Sequence, residues 1–244
     1  MRTISDIGDV NGKTLFVRVD FNVPVADGVV SDDFRIQKSL ETIDHLLSLG
    51  ARLILASHIE GGEATLRPVF EYLKKIYPIV FVEKYFPDSD VEITHALGQG
   101  HIVLLENLRV YKEEKANDPE FARHLASFAH AYVNEAFSAS HREHASIVGI
   151  PKHIPSYAGF VFEKEVVELS KALQPQHPFL FILGGAKFET KLPIIEKFFD
   201  KADRVFIGGA LANDFLLAEG AKLGHSLLSE GSFDLKQYLV HKLI

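Results

Sequence analysis

Apolar residues in this chain fall into two kinds of block. Short, nearly continuous apolar runs occupy 15–21, 52–56, 79–82, 102–105 and 131–134. They are rich in branched and aromatic side chains, which fit a pleated sheet, and their lack of alternation suits strands buried on both faces. Longer stretches between them repeat apolar residues at intervals of three and four. Over 34–49, Ile36, Leu40, Ile43, Leu46 and Leu47 share one helical stripe, and Gly50 supplies the stop. Further helices are expected near 66–76, 90–97 and 119–129. This βαβα rhythm predicts a Rossmann-like α/β fold, a parallel sheet with helices on both faces.

Residues 135–160 read as a long polar connection carrying Gly149, Pro151, Pro155 and Gly159. A helix is expected over about 163–174, and Pro175 and Pro178 bracket a break. A second α/β segment then opens with a strand at 179–183, a helix near 190–199, a strand at 204–208 and a helix near 210–219. The final His241-Lys242-Leu243-Ile244 reads as the entry to another strand. The domain boundary is therefore expected near 160–175, with the second α/β domain incomplete.

Composition narrows the function. With 47% hydrophobic and 24% charged residues among 244, the chain is ordinary for a soluble globular protein. A net charge of −7 argues against nucleic-acid binding but leaves room for an anionic substrate in a locally cationic cleft. Zero cysteines exclude disulfides and thiolate catalysis and fit a reducing compartment. The polar N-terminus is unlike a signal peptide, and no run reaches the ~18 apolar residues a membrane span needs. A cytoplasmic protein without membrane association is expected.

Open parallel sheets bind ligands at the carboxyl ends of their strands. Asp20 and Asn22 follow the first run, His58 the second, Asn107 and Arg109 the fourth, and His141, Arg142 and His144 the fifth. Arg35 falls in the first turn of the 34–49 helix. The helix dipole disfavours a cation there, yet both would favour an anionic ligand. Three arginines and a histidine would make a pocket for phosphate or carboxylate oxygens, and Asp20 and Asn22 could bind a hydroxyl. A small phosphorylated hydroxy acid fits this set. The alternative for Arg109 is an ion pair with Glu113 or Glu114. His141 and His144, three apart, have no third ligand in a recognisable metal pattern, and His144 reads as structural. The Gly184–Thr190 stretch, Gly-Gly-Ala-Lys-Phe-Glu-Thr, places glycines between a strand and a helix, where backbone N–H groups can approach phosphate. It matches neither a P-loop nor a dinucleotide fingerprint, and by itself equals a plain strand-to-helix turn.

Five segments in order resemble the phosphoglycerate kinase family: VRVDFNVP with DDFRI, Ser57-His58, LLENLR at 104–109, NEAFSASHREHASIVGIP at 134–151 and ILGGAKFETKL at 182–192. The resemblance covers essentially the whole chain. It implies reversible phosphoryl transfer between MgATP and 3-phosphoglycerate, giving ADP and 1,3-bisphosphoglycerate in glycolysis, by a monomeric enzyme. It implies substrate contacts from Asp20, Asn22, Arg35, His58, Arg109 and Arg142, catalytic roles for Arg35 and Lys187, and nucleotide contacts from Gly185, Ala186, Lys187, Lys191, Gly208 and Gly209. The cofactors implied are ATP/ADP and Mg2+, with no metal ligand assigned here. The domains implied are 1–160 for 3-phosphoglycerate, 161–175 as an interdomain helix and 176–244 as the start of a nucleotide-binding domain.

Two departures stand out. After Ser-His the family reads Leu-Gly-Arg-Pro, whereas this chain reads Ile59-Glu60-Gly61-Gly62, so Gly61 replaces an arginine and Glu60 adds a negative charge. The next arginine is Arg67. The family's ribose-contacting acid and its glycine-rich loop with a Mg-linked aspartate have no candidate among the 244 residues. The resemblance thus implies a chain truncated within its nucleotide domain. Its rivals are a non-catalytic module that only binds phosphoglycerate and a protein whose missing half comes from another chain. On this reading the chain binds 3-phosphoglycerate, binds ATP weakly or not at all and shows no meaningful turnover.

Overall fold

The computed structural model describes residues 1–60, 65–87, 90–186, 188–229 and 235, so Gly61 and Lys187 lie outside the described residues. The chain divides into two compact units, Met1–Val166 and Val167–Ile244.

The first unit begins with β1 (Thr14–Arg18), followed by a short hairpin of β2 (Val25–Ala26) and β3 (Val29–Val30). Then come α1 (Phe34–Ser48), β4 (Arg52–Ala56), α2 (Arg67–Leu73), β5 (Ile79–Val82) and α3 (Asp90–Gln99). The unit continues through β6 (Ile102–Leu105), α4 (Lys112–Lys115), α5 (Pro119–Ser127), β7 (Ala131–Asn134) and β8 (Ser156–Ala158). Six strands form one parallel sheet in the order β5-β6-β4-β1-β7-β8. Strand order changes direction around β1, because the chain steps from β1 to β4 on one side and later reaches β7 on the other.

Side chains on a strand alternate between faces, and the core follows that period. Leu15 and Val17 of β1, Leu53 and Leu55 of β4, and Ile102 and Leu104 of β6 pack with Ile43 and Leu46 of α1 and Val69 and Leu73 of α2. The intervening Phe16, Ile54, Val103 and Leu105 pack with Ile93 of α3 and Phe121 and Leu125 of α5. Both faces of the sheet are therefore covered by helices. Burying each such side chain contributes about 1.5–3 kcal/mol. Local signals set the helix starts: Asp32 Oδ1 accepts from Phe34 N at 2.9 Å, and Asp118 Oδ1 accepts from Phe121 N at 2.9 Å ahead of Pro119.

The structure departs from the sequence expectation in three places. β1 ends at Arg18 rather than near residue 21, because Asn22 N turns onto Asp20 Oδ1 and Val23 N onto Phe21 O. The polar connection at 135–160 contains a single π-helical turn, Ala145–Gly149, and the sixth strand β8, and it buries Ala136, Ala145, Ser146, Ile147 and Ile150. The helix expected from 163 begins earlier, as α6 (Phe160–Lys171). Its start is held by Glu135, whose Oε1 accepts from Thr42 Oγ1 at 2.7 Å and from Val161 N at 3.1 Å. A side chain at Gly159 would put its Cβ 1.8 Å from Glu135 Oε2, so this approach requires glycine. Burial pushes the Glu135 carboxyl up to about 7.

In the second unit β9 (Leu180–Gly184) pairs in parallel with β10 (Arg204–Gly208), with α7 (Leu192–Phe199) between them and α8 (Leu211–Ala218) after them. Its core gathers Phe188, Ile195, Ala202, Val205, Ile207, Leu211 and Phe215. Leu180 and Ile182 of β9 and Phe206 of β10 remain exposed, so one face of this two-stranded sheet is apolar and uncovered among the described residues. No described helix is long and apolar enough to cross a membrane.

Candidate functional site

The candidate residues of the first unit stand on loops at the carboxyl ends of β1, β4, β6 and β7, with Arg35 on the first turn of α1. These loops are tied to one another by buried hydrogen bonds. Phe21 N donates to Ser57 Oγ at 2.9 Å, and Leu108 N donates to Ser57 O at 3.0 Å. Asn107, fully buried, accepts from Ile59 N at 3.3 Å and from Arg109 N at 3.1 Å through Oδ1, while its Nδ2 donates to Ile59 O at 3.0 Å. Asn107 thus staples the loop after β4 to the loop after β6.

On this scaffold Asp20, Asn22, Arg35, Arg109 and Arg142 are linked through hydrogen bonds, with Asn22 N donating to Asp20 Oδ1 at 3.3 Å, while the His58 side chain is bonded to Arg18. Arg35 Nη1 donates to Asp20 Oδ2 at 2.7 Å, and Ser138 Oγ donates to the same oxygen at 2.7 Å. Asn22 Oδ1 accepts from Glu60 N at 3.0 Å. Glu60 Oε1 accepts from Arg109 Nη1 and, at 3.3 Å, from Arg142 Nη1. His58 is buried, and its Nδ1 lies 3.0 Å from Arg18 Nη2. A guanidinium only donates, so Nδ1 accepts and the neutral ring keeps its proton on Nε2. Burial, reinforced by the positive charges of Arg18, Arg142, His144 and Arg35, lowers the His58 pKa to about 3. His58 is therefore a neutral donor near neutral pH, and Arg35 and Arg142 are close enough to bias it.

Arg109 does not pair with Glu113 or Glu114 as its local sequence allowed. Glu114 is buried and accepts from Ser146 N at 2.9 Å and Ser146 Oγ at 2.6 Å, which frees Arg109 to reach Glu60 across the sheet end. Nε and Nη2 of Arg109 are buried with no hydrogen-bond partner among the described residues. Arg67 pairs with Glu83 and lies over the Phe81 ring at 4.4 Å, so it does not stand in for a cation at position 61.

The residue that reasoning from motifs missed is Arg18. It is fully buried and donates from Nε to Ser146 Oγ at 3.0 Å, from Nη1 to Val19 O at 2.6 Å and from Nη2 to His58. Burial lowers its pKa, while the nearby Glu114 pulls it back up. The chain Glu114, Ser146, Arg18, His58 fixes the imidazole from behind. The available signal was a lone charge inside an otherwise apolar strand, which burial demands be partnered.

In the second unit, Gly184 pairs with Gly208 in register at the strand ends. Gly185 O accepts from Leu211 N at 2.8 Å, and a Cβ on Gly209, which has φ of 66°, would meet Gly185 O at 3.1 Å. Lys191 Cε lies 3.2 Å from where a Cβ on Gly185 would stand. Gly185, Lys191, Gly208 and Gly209 thus share one closely packed corner, and Ala186 follows Gly185 in the chain. Lys187 lies outside the described residues. No three His, Asp or Glu side chains come together as a metal site among the described residues.

The family model for phosphoglycerate kinase matches residues 4–243. The curated phosphoglycerate kinase of Dictyoglomus turgidum is 41% identical, with 98% of this chain and 63% of the relative aligned. That of Desulforudis audaxviator is 42% identical, with 99% and 64% aligned. This chain therefore spans a little under two thirds of the length of these relatives. Among solved structures, phosphoglycerate kinase from Coxiella burnetii superposes with a TM-score of 0.80 at 30% identity, covering 93% of this chain and 59% of that one. The Pyrococcus horikoshii phosphoglycerate kinase gives a TM-score of 0.80 at 32% identity, covering 92% and 59%. With its Rossmann-like α/β architecture and its ordered motifs, this chain belongs to the phosphoglycerate kinase family.

Proposed function

We propose that the chain serves reversible phosphoryl transfer between MgATP and 3-phosphoglycerate, giving ADP and 1,3-bisphosphoglycerate, the glycolytic reaction of a cytoplasmic kinase. In this reading residues 1–160 hold 3-phosphoglycerate, 161–175 form the connecting helix and 176–244 begin the nucleotide side. Arg35, Arg109 and Arg142 take the anionic oxygens, His58 donates from Nε2, and Asp20 and Asn22 orient the hydroxyl. Gly185, Ala186, Lys187, Lys191, Gly208 and Gly209 take the nucleotide, and Arg35 and Lys187 are the catalytic residues. Such transfer is catalysed mainly by alignment and by neutralising oxygens, so cations on rigid strand ends suit it. Mg2+ would share that neutralisation when bound. The described residues offer no three-ligand set for it, so no step is assigned to the metal.

The observation that carries the reading is the meeting of Arg109 and Arg142 on one carboxylate oxygen beside the Arg35–Asp20 pair. Calorimetric titration with 3-phosphoglycerate tests it, followed by a coupled assay for ATP consumption. Binding with 3-phosphoglycerate-dependent consumption supports transfer. Binding without consumption reduces the function to substrate holding, and no binding overturns it.

A further inference from the structure

Glu60 stands at the centre of the cationic network. Its backbone N–H is held by Asn22 Oδ1, and its side chain engages both Arg109 and Arg142. The two guanidinium groups differ sharply in environment: the Arg109 side chain is 9% exposed, whereas that of Arg142 is 36% exposed. Glu60 itself is 53% exposed, so its carboxylate is free to swing into solvent without disturbing packing. Arg109 gives it only Nη1, leaving Nε and Nη2 buried without partners among the described residues. One carboxylate oxygen bridging two arginines is a poor match for two forks. A phosphate presents three oxygens and up to two charges, and can engage the Arg109 fork bidentately while still reaching Arg142.

We infer that Glu60 is a built-in competitor for the substrate anion. It occupies the space between Arg109 and Arg142, and an anionic ligand binds by exchange with it. This rests on reading the cluster as the phosphoglycerate site and assigns Glu60 the control of its affinity and specificity. A dianionic phosphate displaces the tethered carboxylate, whereas a monocarboxylate, with the same charge as Glu60 and no tether, does not. The consequence is weaker binding than bare arginines would give and sharper preference for phosphorylated ligands. The tether to Asn22 runs through the backbone, so changing the side chain leaves the loop anchored.

The test uses the full chain, with Glu60→Gln as the variant and Glu83→Gln as a charge-matched control at an ion pair outside the network. Calorimetry measures 3-phosphoglycerate, inorganic phosphate and acetate. Glu60→Gln should tighten both phosphate ligands about tenfold, in line with a charged hydrogen bond no longer competing. It should also make acetate binding measurable, and Glu83→Gln should change none of these. Phosphate should raise the Tm of Glu60→Gln more than that of the unaltered chain, a readout that survives any loss of stability from unpairing Arg109. Unchanged or weaker phosphate binding in Glu60→Gln overturns the exchange. If 3-phosphoglycerate binds both proteins equally, the exchange fails and the substrate reading stands. If 3-phosphoglycerate binds neither but inorganic phosphate binds Glu60→Gln more tightly, the exchange stands and the substrate reading fails.

Discussion

β1 and β9 are alike on paper and unlike in the fold. Thr14–Arg18 and Leu180–Gly184 are both five-residue apolar strands, paired in parallel. Every residue of β1 is buried, because helices lie on both faces and strands on both edges. In β9 Leu180 and Ile182 are exposed, because the described strands and helices of this unit cover one face only. A continuous apolar run thus reports what a strand can be buried by. Whether the covering layer is present depends on the rest of the sheet.

The sharpest way to break this contrast is to shorten one apolar side chain in each strand, buried Leu15 in β1 and exposed Ile182 in β9. Leu15→Ala should cost roughly 2–5 kcal/mol, and Ile182→Ala about 0.5 kcal/mol or less, by chemical denaturation. Equal losses would mean that the exposed face of β9 is covered in solution.

The second test concerns the buried carboxyl that holds the start of α6, which has no counterpart described in the second unit. The Glu135 pKa is raised from 4.5 to about 7, so its protonated form is favoured by the fold. Its stabilising contribution is complete below pH ~4.5 and is lost as pH rises through about 7. Between pH 5 and 8 the unaltered chain should lose up to roughly 3 kcal/mol relative to Glu135→Gln. A parallel pair of stability curves would contradict the buried placement. His58 has the opposite sign. Its lowered pKa contributes stability above pH ~6.5 that is lost as pH falls toward about 3, so His58→Gln should flatten the acid side of the curve.

If the covered sheet is what makes the strand-end loops rigid, a surface change in the site should alter binding and leave the fold alone. Arg142→Ala should weaken 3-phosphoglycerate by roughly 1.5–3 kcal/mol in calorimetry, with an unchanged melting curve. A further effect is expected at Gly159. A methyl there must push the Glu135 side chain aside, and Gly159→Ala should cost about 1–3 kcal/mol in denaturation. A neutral result would mean that Glu135 relocates freely.

The sheet was legible because its strands at 52–56, 102–105 and 131–134 are apolar runs that nothing else in the chain could host. β8 was not, because Ser156–Ala158 is three residues long, and it is a strand only because β7 offers it an edge. The positions of Arg35, Arg109 and Arg142 followed from their places after strands and at a helix start. Their partners did not. Arg109 ignores acids four and five residues away for Glu60, 49 residues distant, and Glu114 turns inward to Ser146. Local sequence counts nearby charges and cannot see which of them the core has taken. Gly61, whose replacement by arginine is expected to strengthen anion binding, lies outside the described residues.

The central claim is that the strand-end loops of the first unit form one site for a phosphorylated hydroxy acid. Backbone amide NMR of the labelled chain, titrated with 3-phosphoglycerate, tests it most directly. The account predicts saturable shifts clustered at 20–22, 35, 57–60, 107–109 and 138–142, saturating only at correspondingly higher ligand concentration in Arg142→Ala. Shifts centred on 184–191 and 208–211, or no saturable shifts at all, would contradict it.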